Sequence, residues 1–313
     1  MKKVVFLFPG QGSQYVGMGR EFYEQYEGVR DLFGQASDKL SVDFRKLCFE
    51  GPESDLLQTQ NVQPAITLIN AACLKVLKEA GISPCASAGH SLGEYAALYA
   101  AAVMNFTDLM SLVRCRGAFM KESADKNPGG MIAVMGDFEL DAITRICKEV
   151  GDIGHADIAN LNSPKQVIIS GEAKALERVL ELIKKEVSKL VIPLKVSGPW
   201  HSKFMHEAGD KMRNELTKYS FQRPALPVIA NVTGDYESEP NRIKTNLISQ
   251  ITQPVRWLQS IERFIKDGYN IFVEVGPNKV LKGLLRDINK EVTVFNVDNV
   301  KTFEVFLSSI NAV

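Results

Sequence analysis

Apolar residues along this chain follow two alternating periods. Short apolar-rich runs (the continuous KVVFLF at the start, IFVEV at 271–275, VTVFNV at 292–297) read as strands. Between them lie stretches of helical spacing: Pro64 to Glu79, the segment AVMNFTDLMSLVRCRGAFM, Val255 to Lys266 and Val280 to Ile288. Strands alternating with helices predict an α/β fold with a largely parallel sheet. Thr107 is the expected N-cap of the helix that follows AVMN. FPGQGSQYVGMG reads as a glycine-rich loop, and PCASAG as a strand leading into a turn at Ser91. The two lysines that open MKKVVFLFPG imitate the head of a signal peptide. The apolar run behind them, Val4 to Phe8, stops at Pro9-Gly10 and is too short for a signal core. No segment approaches the ~20 apolar residues of a membrane span.

The order of elements changes at Asn127-Pro128-Gly129-Gly130. From there the pattern gives a strand (MIAVM), a helix (Phe138 to Val150), two strands (HADIANL, QVIIS), a helix (Glu172 to Val187) and a strand (LVIPLKV). That β-α-β-β-α-β order is the ferredoxin-like arrangement. It predicts a small domain at 127–196 inserted into a larger one built from 1–126 and 197–313. The larger domain resumes with a helix from Ser202 and a strand PVIANV before the elements named above.

Composition narrows the function classes. Of 313 residues, 45% are apolar and 24% charged, as in an ordinary globular protein. Lys plus Arg equals Asp plus Glu at 37 each, so no net field draws the chain to nucleic acid or to a membrane surface. Cys48, Cys73, Cys85, Cys115 and Cys147 are scattered without a Cys-x-x-Cys pair. They suit neither a disulfide framework nor a zinc site, and point to a reducing cytoplasmic setting. The basic run Lys184, Lys185 and Lys189 reads as a solvated face.

Chemistry concentrates at SAGHSLGEYAAL. Ser91 sits in Gly-x-Ser-x-Gly between a strand and a helix, the context of a nucleophile elbow. The helix start beneath it aims free N–H groups at the turn, which makes the Leu92 amide the natural oxyanion donor. Gln11, just past the first strand, is placed to offer a second one. FPGQGSQ lacks the Gly-Lys-[Ser/Thr] of a phosphate loop. Among four histidines, His90 adjoins the serine and supports the turn, His155 opens a strand, and His206 falls inside a helix. His201, in a loop where the chain leaves the small domain, is the candidate base. No acid declares itself as a third member. Asp152 and Asp157 lie between Ser91 and His201, and a dyad whose imidazole is held by a backbone carbonyl serves equally well. Arg116 shares the apolar face of its helix with Leu109, Leu112, Val113 and Met120, whereas Arg114 points to the opposite side. A buried guanidinium needs an internal acid or a substrate carboxylate, and a nearby serine nucleophile favours the second.

FPGQGSQ, QPA at 63–65, GHSLGE, VRCRG, NSP at 162–164, GPWHS, QPVRW at 253–257 and EVGP at 274–277 occur in one order along nearly the whole chain. Together they resemble the malonyl-CoA:acyl carrier protein transacylase family. The resemblance implies an α/β-hydrolase-like large domain with an inserted ferredoxin-like small domain. It implies malonyl transfer from malonyl-CoA to acyl carrier protein for fatty-acid or polyketide synthesis, with CoA thioester as substrate and no metal or bound cofactor. Ser91 would be the nucleophile, His201 the base, Arg116 the carboxylate clamp, and Gln11 with Leu92 the oxyanion hole. The Gln250 carbonyl would orient His201, and Asn162 would support the site. Trp200, beside His201, departs from the family pattern, where Phe or a smaller residue is more common.

Overall fold

The computed structural model describes residues 3–187 and 190–312, so Lys189 of the basic run lies outside it; Lys184 and Lys185 are exposed. Strand β1 (Val4–Phe8) is buried along its full length, as its unbroken apolar run requires. Four helices follow, α1 (Arg20–Gln25), α2 (Glu27–Leu40), α3 (Phe44–Phe49) and α4 (Glu53–Leu56). Phe22, Phe33, Phe44 and Phe49 from these helices pack into the main core.

Helix α5 (Thr59–Glu79) begins five residues earlier than the spacing predicts and contains Pro64. A proline inside a helix strips the carbonyl four residues back of its donor. Here that carbonyl belongs to Gln60, and Arg114 Nη1 donates to it at 2.6 Å while also reaching Asn61 Oδ1 at 2.8 Å. Arg114 therefore turns inward to repair α5 rather than facing solvent. Strand β2 (Ala86–Gly89) leads through Ser91 into α6 (Gly93–Ala100), and then comes α7 (Phe106–Lys126). The N-cap of α7 is Asn105, whose Oδ1 accepts from the Asp108 amide at 2.8 Å. Thr107, the sequence candidate, instead donates its hydroxyl to Asn105 at 2.8 Å. α5 and α7 cross closely at Gly117, where a Cβ would stand 2.6 Å from the Thr59 carbonyl.

The next elements form a separate four-stranded antiparallel sheet: β3 (Gly129–Met135), α8 (Leu140–Glu149), β4 (Ala156–Ser163), β5 (Gln166–Glu172), α9 (Ala173–Glu186) and β6 (Leu190–Pro193), with strand order β4-β5-β3-β6. Side chains alternate along these strands. Ile132, Val134, Val167 and Ile169 pack with α8 and α9 in their own core, while Met131, Ala133 and Ile168 belong to the main core.

The chain then runs through α10 (His206–Leu216), the two-residue strands β7 (Ile229–Ala230) and β8 (Asp235–Tyr236), α11 (Pro240–Gln250), α12 (Trp257–Lys266), β9 (Ile271–Val275), α13 (Val280–Ile288), β10 (Thr293–Val297) and α14 (Val300–Ala312). PVIANV is thus a shorter strand than its pattern predicts: β7 pairs with β8, and a single bridge joins Val228 to Ser87. The first sheet is fully parallel, in the order β10-β9-β1-β2. The two sheets meet where β4 bridges to the segment before α12, with Leu161 N donating to Val255 O and Val255 N to Ala159 O, each at 2.9 Å. Among the described residues, no helix is long and apolar enough to cross a membrane.

Candidate active site

The turn at Ser91 can close because the residues two before and two after it, Gly89 and Gly93, have no side chains. A Cβ on Gly89 would lie 1.9 Å from the Gly93 backbone, and one on Gly93 would lie 1.9 Å from the Phe8 carbonyl. Strand and helix can therefore close up only around glycine, and Ser91 is left in the left-handed region at φ 49°. Asn231, just past β7, locks that conformation. Its Oδ1 accepts from Ser91 N at 2.7 Å, and its Nδ2 donates to Gly89 O at 2.7 Å.

Ser91 Oγ stands 2.7 Å from His201 Nε2. The other ring nitrogen, Nδ1, is 2.7 Å from the main-chain carbonyl of Gln250. A carbonyl only accepts, so Nδ1 carries the hydrogen and Nε2 is free to take a proton from the serine. Burial and the nearby Arg116 charge lower the His201 pKa to about 3, which keeps the imidazole neutral. Among the described residues no carboxylate completes a triad: Asp152 is exposed, and Asp157 pairs with His155 at 2.7 Å. His206, which opens α10, has its side chain exposed.

Arg116 is 1% exposed and has no acid within ion-pair distance among the described residues. The internal salt bridge that its apolar setting allowed is absent there. Its Nη1 donates to Gln63 Oε1 at 2.9 Å, and its Nη2 to Gln250 Oε1 at 3.0 Å and to Ser91 Oγ at 3.1 Å. The guanidinium carbon also lies 5.7 Å from the centre of the Tyr95 ring. Neutral oxygens and a ring face therefore surround a full positive charge beside the serine.

His90 Nε2 donates to Asn162 Oδ1 at 2.8 Å, and Asn162 Nδ2 donates to Gln166 Oε1 at 2.7 Å. This chain ties the serine turn to the β4–β5 hairpin. A cavity of about 600 Å³ opens over Ser91 between the two sheets. Gln11, Leu92 and Val280 line one side, and Met131, Ala133 and Ile168 the other, with Trp200 beside His201. The Gln11 and Leu92 amides donate to no acceptor among the described residues. Sequence reasoning missed Asn231, Gln63 and Gln166 as supports of the site. The only local signal was a polar residue closing an apolar run, as in VIAN.

An acyl transferase domain model matches residues 5–306. The malonyl CoA-acyl carrier protein transacylase of Bacillus subtilis (strain 168) is 41% identical over 99% of this chain and 98% of its own length. The chain belongs to the malonyl CoA-acyl carrier protein transacylase family. The family enzyme of Escherichia coli (strain K12) is 38% identical over 94% of this chain and 95% of its own. Among solved structures, the transacylase from Clostridium perfringens superposes with a TM-score of 0.95 at 40% identity, covering 99% of this chain and 98% of that one. A malonyl-transacylase in complex with its type II PKS acyl-carrier protein superposes with a TM-score of 0.95 at 35% identity, covering 98% and 100%. This transacylase fold is mixed α/β, as the alternating periods predict.

Proposed function

We propose that this chain moves a malonyl group from malonyl-CoA to the phosphopantetheine thiol of an acyl carrier protein, through an ester on Ser91. The observation that carries the reading is the shared position of Ser91 Oγ, 2.7 Å from a neutral imidazole and 3.1 Å from a buried guanidinium with no acid in direct contact. In the first half-reaction Arg116 binds the free carboxylate of the malonyl group. The Ser91 hydroxyl proton passes to His201 Nε2 as Oγ bonds to the thioester carbon. The Gln11 and Leu92 amides hold the resulting oxyanion. The carbon–sulfur bond then breaks, and the CoA thiolate takes the proton from His201. In the second half, the carrier thiol gives its proton to His201 and attacks the ester carbon. The carbon–oxygen bond breaks and Ser91 Oγ recovers the proton. The Gln250 carbonyl orients His201 throughout, and His90 with Asn162 steadies the turn. The CoA thioester is a substrate, and the scheme calls on no metal and no resident cofactor.

The architecture suits an α/β-hydrolase-like domain, 1–126 with 197–313, carrying a ferredoxin-like insert at 127–196. The β4-β5-β3-β6 order with two helices on one face supports that description. The setting is cytoplasmic, and the product serves fatty-acid or polyketide synthesis.

The deciding experiment compares kcat/KM for malonyl-CoA and acetyl-CoA in the wild type and Arg116→Ala. Loss of a desolvated charge pair costs ~2–5 kcal/mol, roughly 30- to several-thousand-fold for malonyl-CoA. Acetyl-CoA, without a carboxylate, should hold its rate or improve. An equal loss for both substrates with a lower Tm would make Arg116 a structural residue. Release of free malonate in place of carrier malonylation would make the chain a hydrolase.

A further inference from the structure

Glu94 is a buried charge that the proposed acyl transfer leaves without a task. It stands in the first turn of α6 and is 2% exposed. Its Oε2 accepts from Gln250 Nε2 at 2.6 Å and from the Asn231 amide at 3.1 Å. The same Gln250 side chain presents Oε1 to Arg116, and its main-chain carbonyl holds His201. A primary amide donates from one end only, so the carboxylate on the Nε2 end dictates that Arg116 meets the oxygen. Glu94 is thus one amide removed from Arg116, and it is the carboxylate whose charge acts on that guanidinium.

The surrounding groups leave Arg116 as the partner of this charge. Tyr95, on the same helix, is held as a neutral phenol by burial. Burial also keeps His90 and His201 uncharged. The adjoining strands β1 and β2 contribute VVFLF and ASAG, with no charged side chain. α5 turns Lys75, Lys78 and Glu79 to solvent. In the empty site, then, one buried anion offsets one buried cation. A substrate carboxylate on Arg116 puts two anions against a single guanidinium in a dry pocket, and such a pair cannot both stay ionised cheaply.

We propose that Glu94 is the resident counter-ion of Arg116, and that binding of the malonyl carboxylate drives Glu94 to take up one proton from solvent. The proposal rests on the reading that Arg116 receives the substrate carboxylate. Burial already lifts the Glu94 carboxyl to about 7, so a modest further push suffices near neutrality. Raising the pH ionises Glu94, sets it in competition with the malonyl carboxylate, and weakens malonyl-CoA binding. Acetyl-CoA brings no competing charge.

The test is calorimetric titration of Ser91→Ala protein, which cannot turn over, with malonyl-CoA and acetyl-CoA in buffers of different ionisation enthalpy. Protonation of the CoA phosphates is common to both ligands and cancels. We expect excess proton uptake for malonyl-CoA alone at pH 7.5. Its affinity should fall about five- to tenfold from pH 6 to pH 8, the lower part of the usual range for linked sites. Adding Glu94→Gln, which keeps an acceptor for Gln250 Nε2 but no charge, should abolish both effects and bind malonyl-CoA at least as tightly. Malonyl-CoA binding with no excess uptake, or a pH dependence that persists in Glu94→Gln, overturns the counter-ion. So does a Glu94→Gln protein that loses both ligands equally with a lower Tm. If Arg116→Ala leaves both affinities unchanged, the carboxylate reading of Arg116 itself has failed.

Discussion

Ser91 and His201 both occupy the left-handed region, at φ 49° and 58°. Strain of this kind costs about 1–3 kcal/mol per residue and persists only where the surroundings enforce it. For Ser91 the enforcement is the Asn231 side chain, which bonds Ser91 N and Gly89 O, while the Gln250 carbonyl fixes the His201 ring. His201→Ala should lower acylation about 10²–10⁴-fold, the usual span for a general base. Replacing His155 or His206 should leave the rate within a few-fold, and an equally dead His206 variant would reassign the base. The depressed His201 pKa also sets a pH profile. An ordinary imidazole loses half its basic form at about 6.5. Here kcat/KM for acetyl-CoA, which reports the free enzyme, should stay level as pH falls from 8 to 5. A half-loss near 6.5 would mean that His201 titrates normally.

Elements that carry one strong period were legible in the sequence, and those that depend on distant partners were not. β1 announces itself as an unbroken apolar run, β9 and β10 as short apolar runs with isolated polar residues, and α7 as a long periodic stretch. α1, α3 and α4, at six, six and four residues, are too short to show a period, whereas the 14-residue α2 does carry one in Val29, Leu32, Phe33 and Ala36. The start of α5 was hidden for a definite reason: Pro64 reads as a first-turn residue until Arg114 supplies the missing donor to Gln60. Ser91, His201 and Arg116 stood out because their chemistry is rare in apolar surroundings. Glu94, Asn231 and Gln63 did not, since each is defined by a partner far away in sequence. The end of α13 nearest the cavity shows the same dependence. Glu274 on β9 accepts from the Leu281 and Lys282 amides at 3.0 and 2.8 Å, capping a helix from outside it. Glu274→Ala should reduce stability by about 1–2 kcal/mol, as loss of a cap does. It should also raise KM for malonyl-CoA, because Val280, Leu281 and Leu284 line the cavity. Urea unfolding and steady-state kinetics on one preparation check both, and an unchanged KM would separate the cap from the cavity wall.

At the scale of the whole molecule, Glu94 and Glu274 are carboxyls that burial lifts to about 7. A carboxyl raised in the folded state binds its proton more tightly there than in the unfolded chain. Its contribution is complete below the unfolded value near 4.5 and is lost as pH rises through about 7. His201 has the opposite sign: its lowered pKa adds stability above about 6.5 that is lost as pH falls toward 3. Glu94→Gln removes one of the two carboxyl contributions. The wild type should therefore gain stability relative to this variant on going from pH 8 to pH 5, by up to about 3 kcal/mol. Equilibrium urea unfolding at the two pH values measures the difference, and a constant gap would show that Glu94 keeps an ordinary carboxyl pKa.

The cavity over Ser91 has walls of separate descent along the chain: the reacting atoms come from one side, and Met131, Ala133, Asn162, Gln166 and Ile168 come from the β3–β6 sheet. One wall of the acyl site can therefore be exchanged without touching Ser91, His201 or Arg116. Transplanting residues 127–196 from a relative that takes a bulkier acyl group should shift the bulk that is accepted, while Arg116 and Trp200 stay with the host and keep the demand for a carboxylate. The graft has two fixed joints. β4 must still add to the strand-like segment at Val255, whose neighbour Gln250 holds His201, and the hairpin must still offer an amide oxygen to His90. Chimeras that keep both joints should recombine selectivity and rate as independent traits, and chimeras that shift either joint by one residue should lose the rate first.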